Sequence, residues 1–154
     1  MPMMHCFLVD NIAEEVANYY VDVFPDGEIT DMFKSPGPNG EEIVVLANIR
    51  INDTPMMILN GPSGKVPNES SSFVINCKDQ AEVDHYWNRF VGDGGMEGNC
   101  SWCQDKFGFW WQVVPEEMPT LFTDPDPVRA GKAFQAMMTM NKIDLAAIKA
   151  AMDS

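Results

Sequence analysis

The sequence predicts an α+β protein, a single domain over 1–154 built from two βαβββ modules, about 1–64 and about 70–115, with a helical tail over about 116–154. Three observations carry this. An apolar run followed by a capped helix occurs twice, with Asn11 aligning on Asp79. An aromatic hairpin over Gly98 to Pro115 closes the second repeat, holding three of the four tryptophans and two of the four cysteines. After Pro115 the pattern turns from strand to helix and turn.

In the first module, Met3 to Val9 is a short apolar run suited to a buried strand, broken at Asp10-Asn11. Asn11 with Glu14 three residues on reads as a capping box, in which side chains satisfy the orphan N–H groups of a first turn. Ile12, Val16, Tyr19, Tyr20 and Val23 then fall on one helical face, and Pro25-Asp26-Gly27 stops the helix. Glu28 to Lys34 is expected as a strand, Ser35 to Gly40 as a loop without regular structure, and Ile43 to Ile51 as β. Asn52-Asp53 makes a tight turn into Pro55 to Leu59, and Asn60 to Gly64 ends the module.

The second module restarts with Ser71 to Cys77. Asp79 caps a helix with Glu82, and Val83, Tyr86, Trp87 and Phe90 follow at i, i+3, i+4 and i+7. Gly92 to Gly95 ends it, a sixth strand is expected somewhere around Met96 to Asn99, and Asp105-Lys106-Phe107-Gly108 turns the hairpin. In the tail, Asp126-Pro127 starts a helix in which Phe134, Met137, Met138 and Ile143 recur, and Asp144 caps a last helix striped by Leu145, Ile148 and Met152. Such a tail is expected to pack, on its own chain or on a second subunit, through an adaptable Met-rich face.

Composition narrows the function. With 45% hydrophobic and 21% charged residues the chain reads as globular, and no apolar run reaches the roughly 18 residues a membrane span needs. The start, Met1 to Phe7, has no basic segment leading into an apolar one, so a cytoplasmic location with reduced cysteines is expected. Twenty-three acidic against 10 basic residues give a net charge of −13, which repels phosphate backbones and anionic membrane surfaces, so neither nucleic acid nor membrane is an expected partner.

The candidates for chemistry are few. Cys100-Ser101-Trp102-Cys103 is a C-x-x-C, but on a strand its two side chains point to opposite faces, which makes it filler and not a redox pair. His85 falls on the polar side of its helix, leaving His5 as the imidazole to weigh for a site. On the last strand Trp110, Gln112 and Val114 share one face; Trp102, with Cys100 and Gln104 on its own face, would add a wall. A buried Gln112 needs a partner in a ligand, a water or a facing side chain. Gly92 to Gly95 follows a helix and leads to a strand, the reverse of a nucleotide-cofactor loop.

Several runs resemble a known family: Glu14 to Val21, Asn76 to Asp84, Asp105 to Gly108 with Trp111 to Pro115, and, in the tail, Asp124 to Pro127 and Asn141 to Asp144. They resemble the PhnB-like family, labelled 3-demethylubiquinone-9 3-methyltransferase domain, of the vicinal oxygen chelate superfamily with glyoxalase I and bleomycin-resistance proteins. The resemblance implies two mixed sheets curled around a cleft, usually in a homodimer. It also implies a divalent metal on four inward side chains from the first and last strands of each module. The matching positions here are His5, Asn60, Ser72 (or Phe73 one register away) and Gln112, a poor set for Zn²⁺, Ni²⁺ or Fe²⁺. No metal and no cofactor is therefore expected. A small aromatic or amphipathic ligand would be bound in a pocket lined by His5, Phe7 and Asn60 in module one. From module two the lining would be Ser72, Cys100, Trp102, Trp110 and Gln112. The alternative is an enzyme, either the methyltransferase of the family label or a metal-dependent glyoxalase or dioxygenase.

Overall fold

The computed structural model describes residues 3–62 and 64–154. Met1, Pro2 and Ser63, the last within the expected break at Asn60 to Gly64, lie outside the described residues. The chain divides into two compact units, Met1–Val66 and Pro67–Ser154.

The first unit runs β1 (His5–Val9), α1 (Ala13–Val23), β2 (Glu28–Pro36), β3 (Glu42–Ile51) and β4 (Thr54–Asn60). Its strands form one open sheet in the order β1-β4-β3-β2, with β1 parallel to β4 and the other pairs antiparallel. The sheet is open and not curled; four strands are too few to close on themselves. Helix α1 buries Val16, Tyr20 and Val23 against Ala47, Ile49, Met56 and Ile58 of the sheet. Asn52 and Asp53 both take positive φ, 44° and 55°, the turn that matches the twist of a tight hairpin.

Two expectations change here. The residue at the cap of α1 is Ile12, with no side-chain cap, while Asn11 sits at φ 57°. The first-turn N–H of Ala13 is instead satisfied from the end of β4, where Asn60 Oδ1 accepts it at 2.9 Å. Strand β2 also runs on through Ser35 and Pro36, paired with Ile43 and Glu42. Proline is tolerated there because β2 is an edge strand, where a missing N–H leaves no ladder bond broken.

The second unit repeats the order with β5 (Phe73–Cys77), α2 (Gln80–Gly92), β6 (Met96–Glu97), β7 (Trp102–Gln104) and β8 (Trp110–Pro115), then α3 (Met118–Phe122), α4 (Pro127–Met137) and α5 (Leu145–Met152). Its sheet is again open, in the order β5-β8-β7-β6, with β5 parallel to β8. The expected cap at α2 is present, Asp79 Oδ1 accepting from Glu82 N at 2.9 Å, while Glu82 Oε2 accepts from Lys78 N, one residue ahead of the cap, at 2.9 Å. The core beneath α2 is aromatic, with Phe90 stacked on Trp111 at 4.8 Å and Phe73 at 5.2 Å from the same indole.

The tail packs on its own unit. Met118, Leu121, Ala133, Ile143, Ile148 and Met152 make a core against which Val114 of β8 also packs. Gln80 of α2 clamps it, donating to Ile143 O and accepting from Leu145 N, each at 2.9 Å. Asp126 and Asp144 cap α4 and α5 as expected, accepting from Val128 N and Ala147 N. Phe134 and Met138 are half exposed and stand outside that core, and the short α3 was not anticipated.

Candidate functional site

The hairpin of β7 and β8 is organised by a buried carboxylate. Asp105, only 2% exposed, accepts from the backbone N–H of Phe107 (2.9 Å) and Phe109 (3.1 Å) on Oδ1 and from Trp111 Nε1 (2.8 Å) on Oδ2. Gly108 supplies the positive φ of 90° that lets the turn close, and Gln104 Nε2 donates to its carbonyl at 2.9 Å. Because Trp111 is held inward, alternation turns its neighbours Trp110 and Gln112 to the opposite, open face.

On that face the register brings four of the expected residues together. Trp102 lies directly opposite Gln112, and Gln104 opposite Trp110. The two indoles meet edge to face at 6.3 Å and 63°, an arrangement favoured by the ring quadrupole. Gln112 Nε2 donates to Ser72 Oγ at 2.8 Å, which places Ser72, and not Phe73, beside it. Phe73 shares the covered face with Trp111.

The other expected residues stand elsewhere. Phe7 is buried on the helix-covered face of the first sheet, edge-on to Tyr20 at 6.0 Å. His5 pairs with the buried Met56 and shares that side of β1, at its exposed end, whereas Cys6 and Leu8 face the open side. Asn60 has both ends of its amide engaged, Oδ1 with Ala13 N and Nδ2 with Val44 O at 2.8 Å. It lines a groove of about 850 Å³ between α1 and the β2–β3 hairpin, rimmed by Glu14, Glu15, Glu41 and Glu42. Cys100 does not share the Trp102 face. With Cys100 and Ser101 both at positive φ, 53° and 77°, the strand alternation breaks, and the thiol reaches Met138 Sδ at 3.7 Å.

Sequence reasoning missed Asp105 and the amide of Asn60 as organisers. Only the Asp-x-x-Gly spacing of the turn hinted at the first, since an Asp at such a position can take the N–H groups of the residues that follow.

The cysteines are thiols, with no disulfide among them. Burial pushes Cys103 up to about 12, with Asp105 adding to it, and pushes Cys77 up to about 12, with Glu82 and Asp79 adding to it. Neither is a nucleophile near neutral pH. Among the described residues no three His, Cys, Asp or Glu side chains gather as a metal site, and no helix is long and apolar enough to cross a membrane.

Paired βαβββ units with parallel outer strands define the vicinal oxygen chelate type of fold, and solved structures agree. A Bacillus cereus PhnB protein, described as a putative 3-demethylubiquinone-9 3-methyltransferase, is 22% identical, covering 75% of this chain and 99% of its own, with a TM-score of 0.62. A Pseudomonas aeruginosa protein is 16% identical over 75% of this chain and 98% of its own, TM-score 0.62. The fosfomycin resistance protein FosX of Listeria monocytogenes is 12% identical over 75% of this chain and 90% of its own, TM-score 0.55. FosX has also been crystallised with Mn(II) and sulfate. The chain belongs to the 3-demethylubiquinone-9 3-methyltransferase family, whose pattern it matches over residues 2–114. The tail segments therefore fall outside the matched stretch. Comparison with curated proteins gives no match.

Proposed function

We propose that this protein binds a small aromatic or amphipathic molecule on the open face of the second sheet, without a metal ion. It acts in the cytoplasm, as a homodimer. The observation that carries the reading is the Trp102 and Trp110 pair set beside the Gln112 and Ser72 hydrogen bond. Large apolar rings with a few converging polar groups are what small-molecule sites are made of.

The superfamily's metal finds a poor set of donors here. Asn60 Oδ1, the atom a metal would use, already accepts from Ala13 N, and Ser72 Oγ already accepts from Gln112 Nε2. Amide and hydroxyl groups are also weak ligands for Zn²⁺, Ni²⁺ or Fe²⁺. A thermal-shift screen over small aromatics tests the reading. A ligand at a hundred times its Kd adds about 2.7 kcal/mol and raises Tm by several degrees. That shift is expected to vanish in Trp110→Ala, and a panel with no hit overturns the proposal. Because FosX takes Mn(II), metal content of protein purified without chelator is the second measurement: about one tightly held ion per chain would end the metal-free reading. The family label raises methyl transfer as the rival, and titration with S-adenosylmethionine decides it, since heat of binding would favour the enzyme.

A further inference from the structure

We infer that the ligand of this site is a neutral planar ring bearing a hydrogen-bond acceptor and donor side by side, the pattern of a lactam or cyclic imide. The inference rests on the binding reading above and adds the chemistry that would be recognised.

A glutamine side chain offers two N–H donors and a carbonyl. Gln112 spends one N–H on Ser72 Oγ. Were Ser72 to take the proton anti to Oε1, the syn N–H and Oε1 would be left as one flat edge, donor beside acceptor. An edge of that kind is bidentate toward a partner presenting the reverse pattern, which is how glutamine reads the acceptor and donor of adenine. A lactam presents the same reverse pattern in its C=O and N–H. Ser72, having accepted, keeps its own hydroxyl proton for a second acceptor on the ligand.

The sheet positions of this face are uncharged. The residues in register on this face, Ser72, Val74, Trp102, Gln104, Trp110 and Gln112, carry no charge. An anion would meet no cation among these residues and would approach against the net charge of −13. Trp102 lies directly across from Gln112 and Trp110 stands edge-on to it, so a ring whose polar edge meets the amide would lie against indole. Asp105, by anchoring Trp111 between Trp110 and Gln112, holds these groups in place before a ligand arrives, which lowers the ordering cost of binding.

Four probes of one size test this on the full chain by ligand-observed NMR: isoquinolin-1-one, isoquinoline, naphthalene and 1-naphthoate. The lactam is expected to bind about tenfold tighter than isoquinoline or naphthalene, the worth of one well-made hydrogen bond, with naphthoate weakest. In Gln112→Leu that advantage should disappear while naphthalene binds as before, and Trp110→Ala should weaken all four. Equal affinities for lactam and naphthalene, or tightest binding of naphthoate, overturn the lactam assignment and leave aromatic binding standing. If no probe binds, or Trp110→Ala changes nothing, the binding reading falls and the lactam with it.

Discussion

The two halves of this chain share an element order and a strand order, yet they hold their helices in different ways. Helix α2 caps itself: Asp79 accepts from the Glu82 N–H of its first turn, and Glu82 ties down Lys78 N just ahead of the cap. Helix α1 has no side-chain cap of its own, and Asn60, 47 residues away, supplies the acceptor for Ala13. The sheets differ in the same spirit. The first has three long strands, β2 to β4, whereas the second has a three-residue β7 and a two-residue β6 and relies on Asp105 to hold its hairpin. One topology thus tolerates two means of support, one long-range and one local.

The comparison can be broken most severely at Asp105. Asp105→Ala leaves the Trp111 indole and two backbone N–H groups without their acceptor, which should cost about 3 kcal/mol or more, read from denaturant unfolding. A loss below about 1 kcal/mol would show that the carboxylate does not organise the hairpin. Next come the two caps. Asn60→Ala removes a cap and also strands the Val44 carbonyl, for about 2 kcal/mol, while Asp79→Ala removes a cap alone, for about 1 kcal/mol. Equal losses would erase the distinction drawn here.

The smallest effect concerns acid. The hydrogen bond from Lys142 holds Asp84 below the usual carboxylate range, and that from Lys78 does the same for Glu82. A depressed carboxylate gives stability that is present above its unfolded pKa and is lost as pH falls through the folded one, so Tm should drop below about pH 4. Lys142→Met should flatten that slope slightly, by a few tenths of a kcal/mol, because the Asp84 side chain is 44% exposed and the pair is screened. An unchanged slope would mean the pair contributes nothing.

What could be read from residues alone divides along the same line. Asp79 and the Val83 to Phe90 stripe were legible because cap and face lie within one helix. The Trp110 and Gln112 face followed from alternation on a single strand. Asn11 misled, since its composition suits a cap while its backbone is left-handed and the true acceptor arrives from β4. Pro36 misled because strand or loop there depends on being at a sheet edge, which is a property of the assembled sheet. Of the eight residues expected in the pocket, Ser72, Trp102, Trp110 and Gln112 come together on one face. Cys100 leaves it because two left-handed residues break the alternation that placed it there.

The bond from Ala13 to Asn60 also bears on the order of events during folding. A self-capped helix can form in a chain whose distant parts are still unstructured, whereas the Ala13 N–H of α1 gains its Asn60 acceptor only once β4 has been made and docked. Loop closure over that separation is slow relative to helix growth. In pulse-labelling hydrogen exchange during refolding, the Glu82 amide should therefore gain protection before that of Ala13, and Asn60→Ala should abolish late protection at Ala13 without delaying Glu82.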